Sequence, residues 1–273
     1  MIIGVVYSLT DPAGAGIAEK LVGLRRLELG GERRVWLDKN VFIQGFPESV
    51  LEFEFLHERA PADAYLVLSK HRSESGKPCF TVHHTGNPLD SAELGGKPRE
   101  LSWSFPRLAG LLLRKVFEET EKEGVENVDV CYEVTHHGPT SVPKPLVFVE
   151  IGSTEVEWRN EVYQTIIARS VDRVLPLILE GEGMGVPRAV GFGGGHYPRK
   201  FTSLTIKGET FFGHMIAKYV LRGGVTRDVI VEAIEKNYEG VTKAFIERKS
   251  ARKELRDEIK KLCEERGLDV EII

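Results

Sequence analysis

Near its start the sequence reads Ile2-Ile-Gly-Val-Val-Tyr7, a short apolar run, followed by an amphipathic stretch at Ile17–Leu27. A short run of β-branched residues bounded by polar residues is typical of a buried strand. Apolar residues spaced three and four apart are typical of a helix packed on a sheet. Because this alternation continues along the chain, it predicts an α/β protein with a mostly parallel or mixed sheet and helices on both faces.

Further runs of the same apolar character predict buried strands at Ala64–Leu68, Phe80–Val82, Val128–Val134, Leu146–Val149 and Ala189–Phe192. Helical spacing recurs at Pro106–Glu123, Glu157–Val174, Thr210–Leu221 and Arg227–Asn237. Loops are predicted at Gly30–Arg34 and Pro88–Pro98. A chain of 273 residues can bury a large core, so we expect a single domain over residues 1–273.

The segment at about residues 242–266 is dense in charge and predicts a C-terminal helix. Opposite charges along such a helix are typical of a solvated surface, and contact with a nucleic-acid backbone is the alternative. The whole chain carries 37 Lys and Arg against 41 Asp and Glu, a formal net charge of −4. This balance argues against a protein that wraps nucleic acid with its whole surface, so such a partner needs a local basic patch.

The cysteines are Cys79, Cys131 and Cys263, too few and too widely spaced to indicate a disulfide framework or a zinc knuckle. No apolar stretch approaches the roughly 20 residues that span a bilayer, and no basic leader precedes the first strand. We therefore expect a cytoplasmic monomer that does not enter a membrane. Any metal would have to be bound by His, Asp and Glu.

Six of the eight histidines fall at or just beyond the carboxyl ends of predicted strands, and Glu150 ends another. The six are His71, His83, His84, His136, His137 and His196. In an open parallel sheet these ends share one edge, where ligands bind. Converging imidazoles and a carboxylate can hold Zn²⁺ with an open position, or a histidine can act directly as a general base. The sequence leaves both chemistries open.

Adjacent histidines need separate treatment, because successive side chains of a strand point to opposite faces. We favour His83 over His84 as the member that enters the crevice. After His136 and His137 the chain is turned by Gly138 and Pro139, so both rings contribute if the turn begins early.

The glycine-rich run Gly191-Phe-Gly-Gly-Gly-His196-Tyr-Pro198 lacks the dinucleotide-binding fingerprint, since a histidine stands where the third glycine is expected. We expect its amides to approach a substrate carbonyl or phosphate. Downstream of Glu150, Ser153 or Thr154 is predicted to cap a helix with Glu157 in its first turn. Glu155, near the same edge, is a candidate ligand or orienting group.

Five motifs taken together resemble those of the archaeal and plant-type D-aminoacyl-tRNA deacylases, over nearly the whole chain. They are Ser69–Ser73, Thr81–Asn87, Thr135-His-His-Gly-Pro-Thr140, Glu150–Trp158 and Gly191–Pro198. The resemblance implies hydrolysis of the ester that joins a D-amino acid to the terminal ribose of tRNA, a proofreading reaction. It also implies zinc, and a fold similar to those of phosphorylases and peptidyl-tRNA hydrolases.

The residues and the resemblance together predict three groups of site residues. The catalytic group is His83, His136, His137 and His196. The zinc ligands are drawn from His71, His83, His136, Glu150 and Glu155. The acceptor end of D-aminoacyl-tRNA is contacted by Lys70, Arg72, Gly193, Gly194, Gly195 and Tyr197, with Arg199 and Lys200 nearby. The competing hypotheses are a zinc-dependent peptidase or amidase acting on small amino-acid derivatives, and a non-catalytic nucleotide-binding protein.

Overall fold

The computed structural model describes residues 1–273. The strands are β1 (Ile3–Ser8), β2 (Val35–Asp38), β3 (Val41–Phe46), β4 (Ala64–Arg72), β5 (Cys79–His83), β6 (Gly86–Asn87), β7 (Glu100–Leu101), β8 (Asp129–Tyr132), β9 (Leu146–Ser153), β10 (Arg188–Phe192), β11 (Phe211–Ile216), β12 (Lys243–Ile246) and β13 (Asp269–Ile272). The helices are α1 (Pro12–Leu24), α2 (Leu56–Arg59), α3 (Pro106–Glu123), α4 (Glu155–Trp158), α5 (Glu161–Leu179), α6 (Arg199–Ile206), α7 (Lys218–Arg222), α8 (Arg227–Glu235) and α9 (Lys253–Glu264), with a 3₁₀ helix at Val50–Phe55.

The larger sheet has seven strands in the order β2-β3-β1-β4-β9-β5-β8. Most neighbours are parallel, but β2 runs antiparallel to β3, and β5 runs antiparallel to β9. Since β8 is parallel to β5, the last two strands run against β1, β4 and β9. The sheet is therefore mixed, and the predicted α/β class is confirmed.

A second sheet of four parallel strands has the order β11-β10-β12-β13. Helix α3 packs against both sheets. Gly110 allows this close approach, because a Cβ on that residue would lie 2.1 Å from the ring of Phe211 in β11. One hydrophobic core of 60 buried residues runs through both sheets and their helices.

The two faces of the larger sheet are covered differently. Helices α1, α3 and α5 pack on one face over the main core. On the other face a smaller cluster, which includes Phe42, Tyr65, Val67 and Phe148, packs under the 3₁₀ helix and α2. The remainder of this second face carries the histidines.

Two predicted elements were wrong. Thr210–Leu221, predicted as a helix, contains β11 followed by the short α7. All six residues of β11 are buried, His214 included, and a run that is buried on both faces shows no period that separates strand from helix. The charged C-terminal helix predicted at 242–266 begins only at Lys253, because residues 243–246 form the strand β12. The strands β2, β3, β6, β7 and β13 were not predicted either.

All three cysteines are buried and unbridged. None of the helices combines the length and apolar character required to cross a membrane.

Candidate active site

The centre of the site is one face of β4, β9 and β5. Ser69, Glu150 and Thr81 are direct neighbours across these strands. His71 and His83 each lie two residues beyond that row, so their rings project from the same face as the Glu150 carboxylate. Glu150 lies 3.4 Å from Nδ1 of His71 and 3.6 Å from Nε2 of His83. Because β5 runs against β4, the group forms on a face of the sheet and not along the shared carboxyl edge that the sequence predicted.

A second buried carboxylate, Glu133, directly follows β8 and is absent from the residues predicted from the sequence. Its Oε2 accepts a hydrogen bond from Nε2 of His196 at 2.6 Å and lies 3.5 Å from Nε2 of His136. Its Oε1 lies 3.2 Å from Nδ1 of His71. Burying a carboxylate is costly unless partners compensate for lost water. The single glutamate within the mostly apolar run Val128–Val134 was therefore the sequence signal that could have identified Glu133 as a site residue.

His136 and His137 both enter the cluster, because the turn begins at His137. The φ angle of His137 is 45°, in the left-handed region that residues other than glycine rarely adopt. The two ring centroids are 4.4 Å apart, and they lie 4.5 and 4.9 Å from the ring of His83. In each ring Nδ1 is bonded to a backbone carbonyl, Val134 O at 2.8 Å or Gly138 O at 2.6 Å. With Nδ1 as the donor, Nε2 keeps its lone pair for the cluster.

His196 reaches the cluster from the second sheet, at the carboxyl end of β10. Its backbone carbonyl accepts a hydrogen bond from the Val134 amide at 3.0 Å, and the Thr135 amide donates to Met215 in β11 at 2.9 Å. The end of β8 is thereby joined to the edge of the second sheet. The site lies where the two sheets meet.

Two of the three glycine amides predicted to bind substrate are already occupied. Gly193 N–H donates to the Ile216 carbonyl at 2.8 Å, and Gly194 N–H donates to Oε2 of Glu247 at 3.0 Å. Glu247 directly follows β12, whose end lies beside the end of β10 in the parallel sheet. Gly193 and Gly194 therefore shape the loop. Gly195, the third candidate, is exposed, and its amide makes no hydrogen bond within the protein.

The two buried glutamates govern the charge of the cluster. Burial alone would raise the pKa of Glu133, but the hydrogen bond from His196 and the nearby imidazole of His71 hold that pKa well below its ordinary value. Burial likewise opposes ionisation of Glu150, yet the nearby imidazoles of His71 and His83 lower its pKa to about 2. Burial would lower the pKa of His71, and the same two carboxylates raise it well above the ordinary value instead.

The pKa values of His136 and His137 shift in the opposite direction, because burial and neighbouring imidazoles dominate there. Burial and the neighbouring His83 lower the pKa of His137 to about 4. Burial and the rings of His137 and His83 lower the pKa of His136 well below its ordinary value. Charged and neutral imidazoles therefore lie side by side at neutral pH.

A cavity of about 440 Å³, which we call cavity A, opens beside the cluster. Lys70 and Arg72, both predicted to contact tRNA, are exposed residues at the wall of this cavity, and the Lys70 ammonium lies 5.1 Å from the centre of the Trp158 ring. Tyr197, also predicted to bind substrate, places its hydroxyl 2.8 Å from Nε2 of His71. Arg199 is instead paired with Asp129. The polar wall of cavity A is formed by Ser8, Thr10, Asp11, Ser49 and Ser69.

Glu155 is not brought to the cluster. It is the first residue of α4, a helix capped by Thr154 and Glu157 as predicted. The carboxylate of Glu155 is 65% exposed and pairs with Arg159 at 2.9 Å. The candidate ligand role for Glu155 is therefore corrected to that of a surface residue.

His84 is also separate from the cluster, as the alternation along β5 predicts. It forms an inner histidine pair with His214 of β11, with ring centroids 6.0 Å apart. Nδ1 of His84 is bonded to the Gly213 carbonyl at 3.1 Å. His214 is bonded to Thr135 Oγ1 at 3.1 Å and to the Ser102 carbonyl at 2.9 Å.

Three overlapping groups in the cluster have the composition and spacing of a metal site, with ligand atoms within 4.8 Å of one another. They are His83 with His136 and His137, Glu133 with His136 and His196, and His71 with Glu133 and Glu150. His83 adds a further indication, because its Nε2 is buried and has no hydrogen-bond partner. A buried, unpartnered imidazole nitrogen is what a metal ligand presents before it binds its ion.

The chain that carries this cluster is similar to known proteins. The family model described as D-aminoacyl-tRNA deacylase matches residues 58–271. The chain belongs to the D-aminoacyl-tRNA deacylase family. This family match confirms the resemblance seen in the sequence, and the peptidase or amidase hypothesis is not favoured.

Full-length relatives agree with the family model. Proteins named D-aminoacyl-tRNA deacylase from Aeropyrum pernix and Desulfurococcus amylolyticus are 40% and 39% identical to this chain. The two alignments cover 100% and 99% of this chain and 100% of each relative. The crystal structure of a conserved protein of unknown function is similar with a TM-score of 0.89 at 28% identity, covering 99% of this chain and 95% of that chain.

Proposed function

We propose that this chain hydrolyses the ester bond of D-aminoacyl-tRNA at the histidine cluster, releasing free tRNA and the D-amino acid. The observation that carries the proposal is the convergence of five imidazoles and two buried glutamates beside cavity A, in a chain of this family. Ester hydrolysis requires a group that activates water and a site that accepts the acyl-tRNA end. The substrate belongs to translation, so a cytoplasmic, monomeric enzyme remains part of the proposal.

A zinc ion fits the donor set. His83, His136 and His137 each have Nδ1 bonded to a backbone carbonyl, which leaves Nε2 as the ligand atom. Three imidazoles with an open fourth position are a known catalytic zinc arrangement. When bound, zinc lowers the pKa of water to about 7 and so supplies hydroxide near neutral pH. His71, Glu133 and Glu150 form an adjoining group that could hold the ion or a second one.

The chain's own residues handle the proton. His196 is 36% exposed and faces cavity A, while its Nε2 is held by Glu133. This bond leaves Nδ1 of His196 as the atom that takes a proton from water and returns it to the departing ribose oxygen. Glu133 orients the imidazole through this hydrogen bond.

Cavity A receives the acceptor end of the tRNA. Lys70 and Arg72 at its wall offer cations to the phosphates, which supplies the local basic patch that the net charge requires. The exposed amide of Gly195 lies one residue before His196 and is the remaining backbone donor for the developing oxyanion.

The activity is tested with purified protein and two substrates that differ only at the α-carbon, D-tyrosyl-tRNA and L-tyrosyl-tRNA. We expect release of the D-amino acid to be much faster than that of the L-amino acid. Equal turnover of both esters, or turnover of neither, would remove the proposal. Hydrolysis of small amino-acid amides without tRNA would favour the peptidase or amidase instead.

The metal is tested separately, by elemental analysis of protein purified without added zinc and by activity before and after chelation. We expect bound zinc, loss of activity on chelation, and recovery on adding zinc back. Full activity in demonstrably metal-free protein would instead assign water activation to His196 and Glu133 alone.

A further inference from the structure

A second cavity, which we call cavity B, adjoins the cluster on the side away from the polar wall of cavity A. Its volume is about 350 Å³. Cavities A and B share His136, His137 and His196, with Leu94 between their mouths. These three histidines therefore form a partition between the two cavities and can be reached from both.

The substrate also has two arms. In an aminoacyl-tRNA the amino acid lies on one side of the ester and the terminal nucleotide on the other. For the ester to reach the partition, one arm must enter each cavity. Which arm enters which cavity is decided by the chemistry of the walls.

Cavity A offers hydroxyl groups and cations. Ser8, Thr10 and Ser69 supply hydroxyls suited to a ribose, and Lys70 and Arg72 supply positive charge suited to phosphates. These groups match the nucleotide arm, since each phosphate of the acceptor end carries a negative charge.

Cavity B has a larger share of apolar residues than cavity A and contains no lysine or arginine. Its wall contains Pro88, Leu89, Val220 and the ring of Tyr219 beside the polar Asn87, Ser91 and Thr135, and the only charged residue besides the histidines is Glu93. This wall has no lysine or arginine to pair with a phosphate, and Glu93 attracts an α-ammonium group, whereas the Asp11 carboxylate of cavity A is already bonded to backbone amides, so the charge of cavity B matches the amino-acid arm.

Two large side chains that line cavity B are exposed to solvent. Tyr219 is 50% exposed and Leu94 is 56% exposed, although both lie beside the cluster. Tyr219 belongs to α7, which begins just after β11 at the junction of the two sheets. An apolar side chain placed between them would remove both surfaces from water.

We propose that cavity B binds the amino-acid arm of the substrate, with Tyr219 and Leu94 as the walls that contact its side chain. Cavity A then holds the terminal nucleotide. The inference rests on the proposed function and adds the residues that set side-chain preference. Tyr219 and Leu94 do not take part in proton transfer.

The test uses one tRNA charged with either D-tyrosine or D-alanine, so that only the side chain differs. The quantity measured is the ratio of kcat/KM for the D-tyrosyl ester to that for the D-alanyl ester. We expect Tyr219→Ala and Leu94→Ala each to lower this ratio by about tenfold, because the larger side chain loses its contact surface. Tyr219→Phe, which keeps the ring, should restore most of the ratio.

Two kinds of control variant distinguish contacts with the nucleotide arm from contacts with the amino-acid arm. Lys70→Ala and Arg72→Ala should lower kcat/KM for both esters equally and weaken its salt dependence, leaving the ratio unchanged. Trp36→Ala removes a comparably exposed aromatic ring from β2, at the far edge of the larger sheet, and should change neither the rates nor the ratio.

The outcomes are distinguishable. If wild-type protein hydrolyses neither ester, the proposed function fails and the pocket assignment fails with it. If wild-type protein is active and Tyr219→Ala lowers both esters equally, the assignment of the arms is overturned while the function stands. A ratio that changes in Lys70→Ala and not in Tyr219→Ala would place the arms the other way round.

Discussion

His83 and His84 are neighbours in sequence and lie in regions of opposite chemistry. His83 faces Glu150, whose carboxylate outweighs the effect of burial and raises the pKa of the imidazole. His84 is equally buried, but its neighbours are the rings of His214 and His83 and no carboxylate, so its pKa is lowered well below the ordinary value. Burial is common to both. The difference is the buried carboxylate: His83 has one beside it and belongs to the reactive cluster, whereas His84 and His214 have none and belong to the core.

The largest effect on activity is expected when the charge of the buried carboxylate Glu133 is removed. Glu133→Gln keeps the size of the side chain but removes the charge shared by His196, His136 and His71. We expect kcat/KM for D-tyrosyl-tRNA to fall by about 100-fold or more, because His196 loses the carboxylate that orients its imidazole. Glu155→Gln is the matched control and should leave the rate near that of wild type. A fall of the same size in both variants would contradict the assignment.

The next test replaces each member of the adjacent pair. His83→Ala should lower kcat/KM by about 100-fold and weaken zinc binding, since it removes a candidate ligand. His84→Ala should retain zinc and lower the free energy of unfolding by about 1 to 3 kcal/mol, because the Gly213 carbonyl loses its hydrogen-bond donor. Urea unfolding and zinc analysis of both variants decide the matter. Zinc loss in His84→Ala alone would reverse the comparison.

The pH dependence of the free energy of unfolding tests whether the inner histidine pair is buried in its neutral form. Burial lowers the pKa of His214 from 6.5 to about 4. Between these values the unfolded chain binds a proton that the folded protein excludes, so the free energy of unfolding falls as pH falls, by up to about 1.4 kcal/mol per pH unit. Above pH 6.5 this stabilisation is fully present. His214→Gln should show a shallower loss than wild type in urea unfolding through this range, and identical slopes would show that His214 does not titrate as a buried neutral group.

The smallest expected effect concerns a carboxylate outside the cluster. Glu247 holds the Gly194 amide, so Glu247→Ala should loosen the loop that carries His196 and lower kcat about threefold, without changing the ratio of D- to L-ester hydrolysis. Glu247→Gln retains an acceptor oxygen and should behave like wild type. Equal losses in the two variants would show that the charge, and not the hydrogen bond, matters at this position.

Local signals in the sequence predicted some elements well. The helix predicted at Pro106–Glu123 is confirmed with the same bounds, because it begins with a proline and ends at Gly124, whose φ of 65° suits a left-handed helix end. The histidines of the cluster were also recognisable, since polar residues at strand ends stand out against apolar runs.

What the sequence could not predict depends on pairing between distant segments. The direction of β5 is set by its partner β9, and nothing within residues 79–83 distinguishes a parallel from an antiparallel neighbour. For the same reason the crevice was predicted at an edge of one sheet, whereas it lies on a face of the larger sheet at the junction with a second. Glu133 was not predicted as a site residue, although a glutamate at the end of the mostly apolar run Val128–Val134 is visible in the sequence.

The order of the segments along the chain has a consequence for synthesis on the ribosome. His71, His83, Glu133 and Glu150 all lie within the larger sheet, whose last strand in sequence ends at Ser153. His196 and the Glu247 carboxylate that fastens its loop come much later, on the second sheet. A nascent chain can therefore fold most of the site and still have no proton-transferring histidine. Activity should therefore appear only when His196 and the strands of the second sheet that position it have left the exit tunnel, well after the histidines of the larger sheet have folded.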